Sequence, residues 1–277
     1  MGTLVVAAAP IGNFNDASLR LKAAIESSTF VAAEDSRKFA RLCSDLGIES
    51  KAKVISFFEG NERERLEELE RALNEHDQVL LITDSGMPGV SDPGYRAIAM
   101  ALEKSFPIQV LPGSSAVTTA LVLSGLPSDR FAFEGFAPRT DGARDRVLAE
   151  LSEEERTMIF FEAPHRIYSF LESATRNFGL NRRGAICREM TKTYEEVVRG
   201  SLQELLEWSQ SKEMLGEFTV VIAGFDPREV THSDLEISDL VKRYESAGIS
   251  RKEAIATVAK ELAIPKRAVF DIMVTHK

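Results

Sequence analysis

A loop of eleven residues decides the fold: it follows the apolar segment Gln78–Thr83, precedes a helical pattern and reads Asp84-Ser85-Gly86-Met87-Pro88-Gly89-Val90-Ser91-Asp92-Pro93-Gly94. In open α/β sheets, ligands bind outside the carboxyl ends of the strands. The three glycines let the backbone approach a ligand closely, and the two prolines stiffen the loop. Asp84 can accept hydrogen bonds from a ribose hydroxyl or an ammonium group. We therefore expect a ligand-binding loop here and not a plain structural turn.

Short apolar segments alternate with longer helical patterns around this loop, which is typical of parallel α/β architecture. The predicted strands are Thr3–Ala9, Thr29–Ala33, Lys53–Phe57, Gln78–Thr83 and Ile108–Leu111. The predicted helices lie near residues 17–27 and over 38–46, 62–74 and 95–105. The strands are short and apolar, as expected when helices cover both faces of a sheet. These patterns predict an N-terminal α/β domain over residues 1–112.

The pattern changes near Pro112-Gly113 or at the turn-rich Gly125-Leu126-Pro127-Ser128, and we expect a second domain over residues 113–225. Its predicted strands are Arg130–Glu134, Thr157–Phe161, Gly184–Glu189, Glu195–Arg199 and Glu217–Ala223, and its helices lie over 143–151, 166–177 and 202–209. The third and fourth of these strands have no helix between them, which indicates antiparallel pairing. We therefore expect a mixed sheet. A small helical extension over 231–277 follows, with helices predicted at Leu235–Ser246, Arg251–Leu262 and Lys266–Val274.

Charge is unevenly distributed along the 277 residues. The formal net charge is −9, but residues 242–277 carry eight Lys or Arg against four Asp or Glu, a net of +4 that leaves −13 for the rest. The overall charge argues against a protein that coats nucleic acid nonspecifically. A basic tail on an acidic body is compatible with a local docking surface for RNA, and equally with a solvated helical face.

Several enzyme and protein classes are disfavoured by what the sequence lacks. It contains no G-x-G-x-x-G, no G-x-x-x-x-G-K-[S/T] and no G-x-S-x-G motif, and its four histidines are far apart. Cys43 and Cys187 stand alone, so neither a disulfide scaffold nor a metal site is expected. No apolar run approaches the roughly 18–20 residues that span a bilayer, and the N-terminus lacks a basic leader region. We expect a cytoplasmic protein without a membrane partner.

Two further loops resemble the first in character. Ala9-Pro10-Ile11-Gly12-Asn13 ends the first strand, and Pro112-Gly113-Ser114-Ser115-Ala116 ends the fifth and begins a helix. Small residues leave room for an adenine or a ribose, and the N–H groups at a helix start are free to donate. Each loop alone is more often a turn or a cap. Three of them at strand ends favour a shared cleft.

These three loops resemble the corresponding segments of the tetrapyrrole-methylase-fold family. Four further segments share the resemblance: Ala33-Glu34-Asp35-Ser36-Arg37, Phe133-Glu134-Gly135-Phe136, Phe161-Glu162-Ala163-Pro164-His165-Arg166 and Arg188-Glu189-Met190-Thr191-Lys192. More narrowly, they are similar to the family's ribosomal RNA branch, the small-subunit cytidine 2′-O-methyltransferases. The resemblance covers roughly residues 3–225. It implies S-adenosyl-L-methionine bound between two α/β domains, no metal, ribosomal RNA or the small ribosomal subunit as partner, and a homodimer.

The resemblance also implies site residues. Carried onto this sequence, the cofactor-binding positions are Pro10, Asp84, Gly86, Met87, Gly89, Ser115 and Ala116, with Phe161 and Glu217 from the second domain. For catalysis, a ribose hydroxyl needs a general base or a charge-stabilising group, and the acidic candidates are Glu34, Asp35 and Glu162. The basic candidates for holding RNA phosphates are Arg37, Arg166, Arg188, Lys192, Arg251, Lys252, Lys266 and Arg267.

Several alternatives stay open at the level of sequence. Glu34 and Asp35 could be a charge pair that favours a helix N-terminus, and Arg166 and Arg188 could form ordinary salt bridges. A tetrapyrrole C-methyltransferase of the same fold would need a large open trough instead of a phosphate-binding rim. An RNA-binding assembly factor without catalysis would bind no S-adenosylmethionine. The basic tail and the Glu162-Ala163-Pro164-His165-Arg166 segment favour RNA over a tetrapyrrole, and the intact Asp84–Gly94 loop speaks against the non-catalytic factor.

Overall fold

The computed structural model describes residues 1–226, 234–262 and 266–275, which form two compact units, Met1–Ala223 and Gly224–Lys277. The first unit contains two five-stranded sheets. We call them the N-terminal sheet and the C-terminal sheet. Both predicted sheet types are confirmed, because the first is entirely parallel and the second is mixed.

The N-terminal sheet has the spatial order β3-β2-β4-β1-β5. Its strands are β1 (Thr3–Ala7), β2 (Phe30–Ala33), β3 (Lys53–Ser56), β4 (Gln78–Ile82) and β5 (Ile108–Leu111). The helices that connect or follow them are α1 (Leu19–Ser27), α2 (Ser36–Leu46), α3 (Glu62–Glu75), α4 (Tyr95–Glu103) and α5 (Ala116–Ser124), with a short 3₁₀ turn at Phe14–Asp16. Strands β1, β2 and β4 are buried almost throughout, because helices cover both faces.

Strand order decides which loops meet at the carboxyl edge of this sheet. The loops after β4, β1 and β5 follow three neighbouring strands, so they lie side by side. The loop after β2 lies on the other side of β4. The ligand site is therefore expected among the first three loops.

The C-terminal sheet has the spatial order β6-β7-β10-β8-β9. Its strands are β6 (Phe131–Phe136), β7 (Thr157–Glu162), β8 (Arg183–Arg188), β9 (Glu196–Ser201) and β10 (Phe218–Ile222). Its helices are α6 (Asp141–Glu150), α7 (Ile167–Phe178) and α8 (Leu202–Gln210). The predicted antiparallel pairing of β8 with β9 is confirmed. Helix α5 packs on this sheet, and a cluster containing Ile11, Val117, Ile159 and Val221 joins the two halves of the unit.

Over its described residues, the second unit has three helices, α9 (Asp234–Ser246), α10 (Arg251–Glu261) and α11 (Lys266–Thr275). Their apolar stripes form a separate core that includes Val241, Val258, Val269 and Met273. Ser250 caps α10, as its spacing from Glu253 predicts. The predicted helical extension is thus confirmed over the described residues, while residues 227–233, 263–265 and 276–277 lie outside them. Within the part of the chain that the structure describes, no helix is long and apolar enough to cross a membrane.

Candidate active site

A cavity of about 410 Å³ lies where the carboxyl ends of β1, β4 and β5 face β7 and β10. The N-terminal half contributes Ile11, Ser85, Gly86, Met87, Val90, Ser91, Asp92, Ser115, Ala116 and Val117 to its lining. The C-terminal half contributes Phe136, Phe161, Glu162, Ala163, Pro164, Met190, Gly216, Glu217, Phe218 and Thr219. Both halves of the first unit are therefore needed to complete it.

The loop after β4 is held at both ends. At its start, Gly86 forms a two-residue bridge with Ala9, in which each backbone N–H donates to the other residue's carbonyl, at 2.8 and 3.1 Å. At its end, the buried carboxylate of Glu62 accepts from the backbone N–H groups of Gly94 and Arg96 at 3.0 and 3.1 Å. Glu62 thereby satisfies donors at the start of α4 that have no partner within the helix. The loop is a preformed wall of the cavity.

Three carboxyl groups line the cavity, those of Asp92, Glu162 and Glu217, and among its described lining residues none is Lys, Arg or His. Such a site attracts a positively charged ligand, because opposite charges interact strongly where water is excluded. Burial, reinforced by the negative charges of Glu34, Asp84 and Glu217, raises the pKa of Asp92 to about 7. A carboxyl group with that pKa can accept a proton near neutral pH.

Glu162, at the end of β7, has a fully buried side chain. Its Oε1 accepts from the backbone N–H of Ala163 at 2.8 Å and lies 3.1 Å from Nε of Arg166. Its Oε2 has no hydrogen-bond partner. Burial raises the pKa of this carboxyl, with the Ala163 N–H and the Arg166 charge opposing. A buried acceptor without a partner is costly, so a donor from a ligand is expected to complete it.

Glu34 and Asp35 lie one strand away from the cavity and are absent from its lining. With Lys38 and Asp84 they surround a separate void of about 10 Å³. Glu34 accepts from the backbone N–H of Asp84 at 3.1 Å, and Asp84 forms an ion pair with Lys38 at 2.8 Å. Asp35 caps α2 and binds Arg37, which holds the pKa of that carboxyl well below its usual range. Glu34 and Asp35 thus contact Asp84, the first residue of the loop after β4, and do not line the cavity. Their predicted catalytic role stays a prediction.

The predicted cofactor residues divide into two groups. Those that line the cavity are Gly86, Met87, Ser115, Ala116, Phe161 and Glu217. Pro10, Asp84 and Gly89 lie in the same loops but do not line it. Asp92 had no predicted role, although it belongs to the loop after β4. Phe136 also had none, although it belongs to the segment Phe133-Glu134-Gly135-Phe136. Gly216 and Thr219 lie outside the segments that carry the resemblance, and only the pairing of the two halves brings them to the cavity.

The predicted phosphate ligands of the first unit differ in their availability. Arg37 has a side chain that is 89% exposed. Arg166 donates to the carbonyl oxygens of Ala137 and Pro138, and Arg188 donates to that of Leu215 at 2.6 Å and pairs with Glu196. Lys192 binds Glu189 and Glu217, each at 2.9 Å. Three of the four are therefore engaged in contacts that order the surroundings of the cavity. His165 is exposed and is not part of its lining.

The predicted phosphate ligands of the second unit come together. Arg251, Lys252, Lys266 and Arg267 line a groove of about 550 Å³ with Ile255 and Phe270. We call these six residues the basic groove. None of them is acidic. Across the described ranges of both units, no group of three His, Cys, Asp or Glu side chains is placed to hold a metal ion.

Comparisons with known proteins agree with this geometry. Residues 3–206 match the family described as Tetrapyrrole (Corrin/Porphyrin) Methylases. A ribosomal RNA small subunit methyltransferase I from Mycobacterium bovis is 46% identical over 261 residues, covering 93% of this chain and 89% of that protein. The protein of the same name from Halalkalibacterium halodurans is 37% identical over 275 residues, covering 98% and 94%.

A solved structure shows the same fold at low sequence identity. Uroporphyrin-III C-methyl transferase from Thermus thermophilus, complexed with S-adenyl homocysteine, has a TM-score of 0.57 and 18% identity, and the match covers 80% of this chain and 97% of that one. This confirms the predicted two-part α/β fold. The chain belongs to the tetrapyrrole methylase family and, within it, to the group of ribosomal RNA small subunit methyltransferases I.

Proposed function

We propose that this protein transfers a methyl group from S-adenosyl-L-methionine to the ribose 2′-hydroxyl of a cytidine in small-subunit ribosomal RNA. The observation that carries the proposal is a cavity between the two halves of the first unit that is bordered by carboxyl groups, in which the buried Oε2 of Glu162 lacks a hydrogen-bond partner. The relatives that are 46% and 37% identical are named for small-subunit ribosomal RNA, which supports this acceptor over a tetrapyrrole.

The cavity residues fit S-adenosylmethionine in size and charge. A volume of about 410 Å³ falls within the range of roughly 300–1,000 Å³ that small-molecule sites occupy. Gly86, Ser115 and Ala116 leave space beside the backbone, and Phe161 and Met87 supply apolar surface. The carboxyl groups complement a ligand that carries a sulfonium and an ammonium group. Pro10, Asp84 and Gly89 would support these contacts from behind the lining.

The bound cofactor supplies an activated methyl group, so the protein needs to align the acceptor oxygen and remove its proton. The ribose hydroxyl would lose its proton on methylation, so a side chain of this protein would have to accept that proton. Asp92 is suited to take it, because the pKa of about 7 leaves a substantial carboxylate fraction at neutral pH. Glu162 is suited to accept a hydrogen bond from the ligand or the ribose through its free Oε2. Arg166 and the Ala163 N–H hold that carboxyl in place.

Glu34 and Asp35 retain their predicted role as candidates, now for a contribution through the loop. Glu34 holds the backbone of Asp84, and Asp35 donates its N–H to Asp84 Oδ1 at 3.2 Å. They would position the start of the loop, while Asp92 and Glu162 face the reacting groups. This division separates positioning residues from catalytic residues.

Phosphate contacts would come from exposed cations. In the first unit Arg37 is 89% exposed while its guanidinium pairs with Asp35 at 2.8 Å, and in the second unit the exposed cations are Arg251, Lys252, Lys266 and Arg267. Arg166, Arg188 and Lys192 would serve RNA binding indirectly, by keeping the cavity walls ordered. The family resemblance further implies a homodimer, which light scattering would test, and action on ribosomal subunits implies a cytoplasmic location.

The proposal is tested by incubating the purified protein with S-adenosylmethionine and small ribosomal subunits from cells that lack the gene. Digestion of the RNA to nucleosides and mass spectrometry should reveal 2′-O-methylcytidine. Naked RNA and a tetrapyrrole precursor serve as parallel substrates. Methylation of the tetrapyrrole alone would favour the C-methyltransferase, and absence of cofactor binding would favour a non-catalytic assembly factor.

A further inference from the structure

The basic groove combines positive charge with an exposed aromatic ring. Four of its six residues are cationic, and the side chain of Arg267 is 93% exposed. Arg267 lies 4.0 Å from Asp271, and Arg251 lies 3.9 Å from Glu245 while donating to the carbonyl of Met273. These ion pairs are long and partly solvated, so they leave most of the positive potential available to a ligand.

Phe270 distinguishes the groove from an ordinary solvated helix face. It follows Lys266 and Arg267 by one turn of α11, so the ring and the two cations share one side of the helix. The neighbouring apolar residues Val269 and Met273 are buried in the core, but Phe270 is 54% exposed. An exposed aromatic ring flanked by cations provides a stacking surface next to phosphate ligands.

The nature of RNA limits what this groove can accept. The deep, narrow major groove of an A-form duplex does not admit side chains from a helix such as α11. Unpaired nucleotides, in contrast, expose base faces that stack on aromatic rings and phosphates that bind Lys and Arg. The volume of about 550 Å³ is sufficient for a nucleotide-sized group.

We propose that the basic groove docks an unpaired segment of the RNA substrate, with a base stacked on Phe270 and the adjacent phosphates bound by Arg251, Lys252, Lys266 and Arg267. The inference rests on the proposed function for the identity of the polymer. It adds that the groove recognises RNA in its single-stranded form, and it assigns base stacking to Phe270. It also accounts for a tail of net charge +4 on a chain whose remainder is −13, because attraction of a polyanion then occurs locally.

The test uses the full-length protein and fluorescence anisotropy with an unstructured oligocytidine and a blunt RNA duplex. Phe270→Ala should weaken oligocytidine binding by about tenfold, since stacking on one aromatic ring is lost. Phe270→Trp should retain it. Val274→Ala is the matched control, because Val274 lies on the same helix with the same 54% exposure but does not line the groove. Thermal unfolding checks that each variant is folded.

The proposal is overturned if Phe270→Ala and Val274→Ala bind oligocytidine equally well, or if the duplex binds more tightly than the single strand. It is also overturned if the groove cations are required for binding anionic vesicles but not oligocytidine. Failure of the underlying function looks different: the wild-type protein would then leave ribosomal RNA unmethylated. Normal methylation with no effect of Phe270→Ala on oligocytidine binding would reject this inference alone.

Discussion

The cavity of the first unit and the basic groove of the second have opposite chemistry. The cavity is lined by three carboxyl groups and no described Lys, Arg or His, whereas the groove has four cations and no acid. The cavity is built from strand ends and loops of two sheets, but the groove needs only two helices. Under the proposed function, the acidic cavity binds the cationic methyl donor and the basic groove binds the polyanionic RNA.

The largest expected effect comes from removing the proton acceptor in the cavity. Asp92→Asn should lower the single-turnover rate of methyl transfer by about 10²-fold or more, the usual contribution of a general base. Binding of S-adenosylmethionine, measured by calorimetry, should persist. A rate within twofold or so of wild type would assign proton removal to another group, and Glu162→Gln is then the next variant to measure.

The pH dependence of the rate sharpens the same assignment. With a pKa of about 7, Asp92 is increasingly protonated below neutral pH. Because kcat/KM reports ionisations of the free enzyme, kcat/KM should fall as the pH drops through 7. The raised pKa also means that the folded state binds an extra proton between about pH 4 and 7. Stability should therefore fall as pH rises through this window, and less so in Asp92→Asn. If wild type and Asp92→Asn showed the same pH dependence of the methyl-transfer rate and of the free energy of unfolding, Asp92 would not be the proton acceptor.

Neutralising the groove tests the other half of the comparison. Replacing Arg251, Lys252, Lys266 and Arg267 by Gln should weaken RNA binding by about tenfold to a hundredfold at moderate salt and flatten its salt dependence. Binding of S-adenosylmethionine should be unchanged, because the cavity lies wholly within the first unit. Four Lys or Arg residues outside the groove, replaced together, provide the control. Unchanged RNA affinity would place the RNA contacts elsewhere.

A smaller effect on the rate of methyl transfer is expected from replacing Glu34 or Asp35, which contact the first residue of the loop after β4. Glu34→Ala removes the acceptor for the Asp84 N–H, and Asp35→Ala removes the side chain that caps α2. Each should lower the rate modestly, on the order of a few-fold, because neither side chain lines the cavity. A loss as large as that of Asp92→Asn would restore the pair as direct catalysts.

The contrast between Asp92 and Glu34 shows what the sequence could predict. Alternating apolar and helical patterns indicated nearly every strand, and the Gly- and Pro-rich loops indicated the ligand-binding edge. The order of the strands in the sheet could not be predicted, because no local sequence pattern indicates that β4 lies between β2 and β1. Glu34 therefore looked as close to the site as Asp84. The placement of Ser115, Gly216 and Thr219 around one cavity depends on long-range packing of the two halves, which no local motif predicts.

The most direct measurement is calorimetric titration of S-adenosylmethionine into the wild-type protein and into Ala116→Trp. Ala116 begins α5 and lines the cavity, so an indole at that position would fill the proposed cofactor site. Circular dichroism and thermal unfolding report that the first unit, which contains position 116, is folded in the variant. The account predicts saturable cofactor binding to wild type and its loss in Ala116→Trp with RNA binding retained. Equal cofactor binding by both proteins would show that the cavity is not where the methyl donor sits.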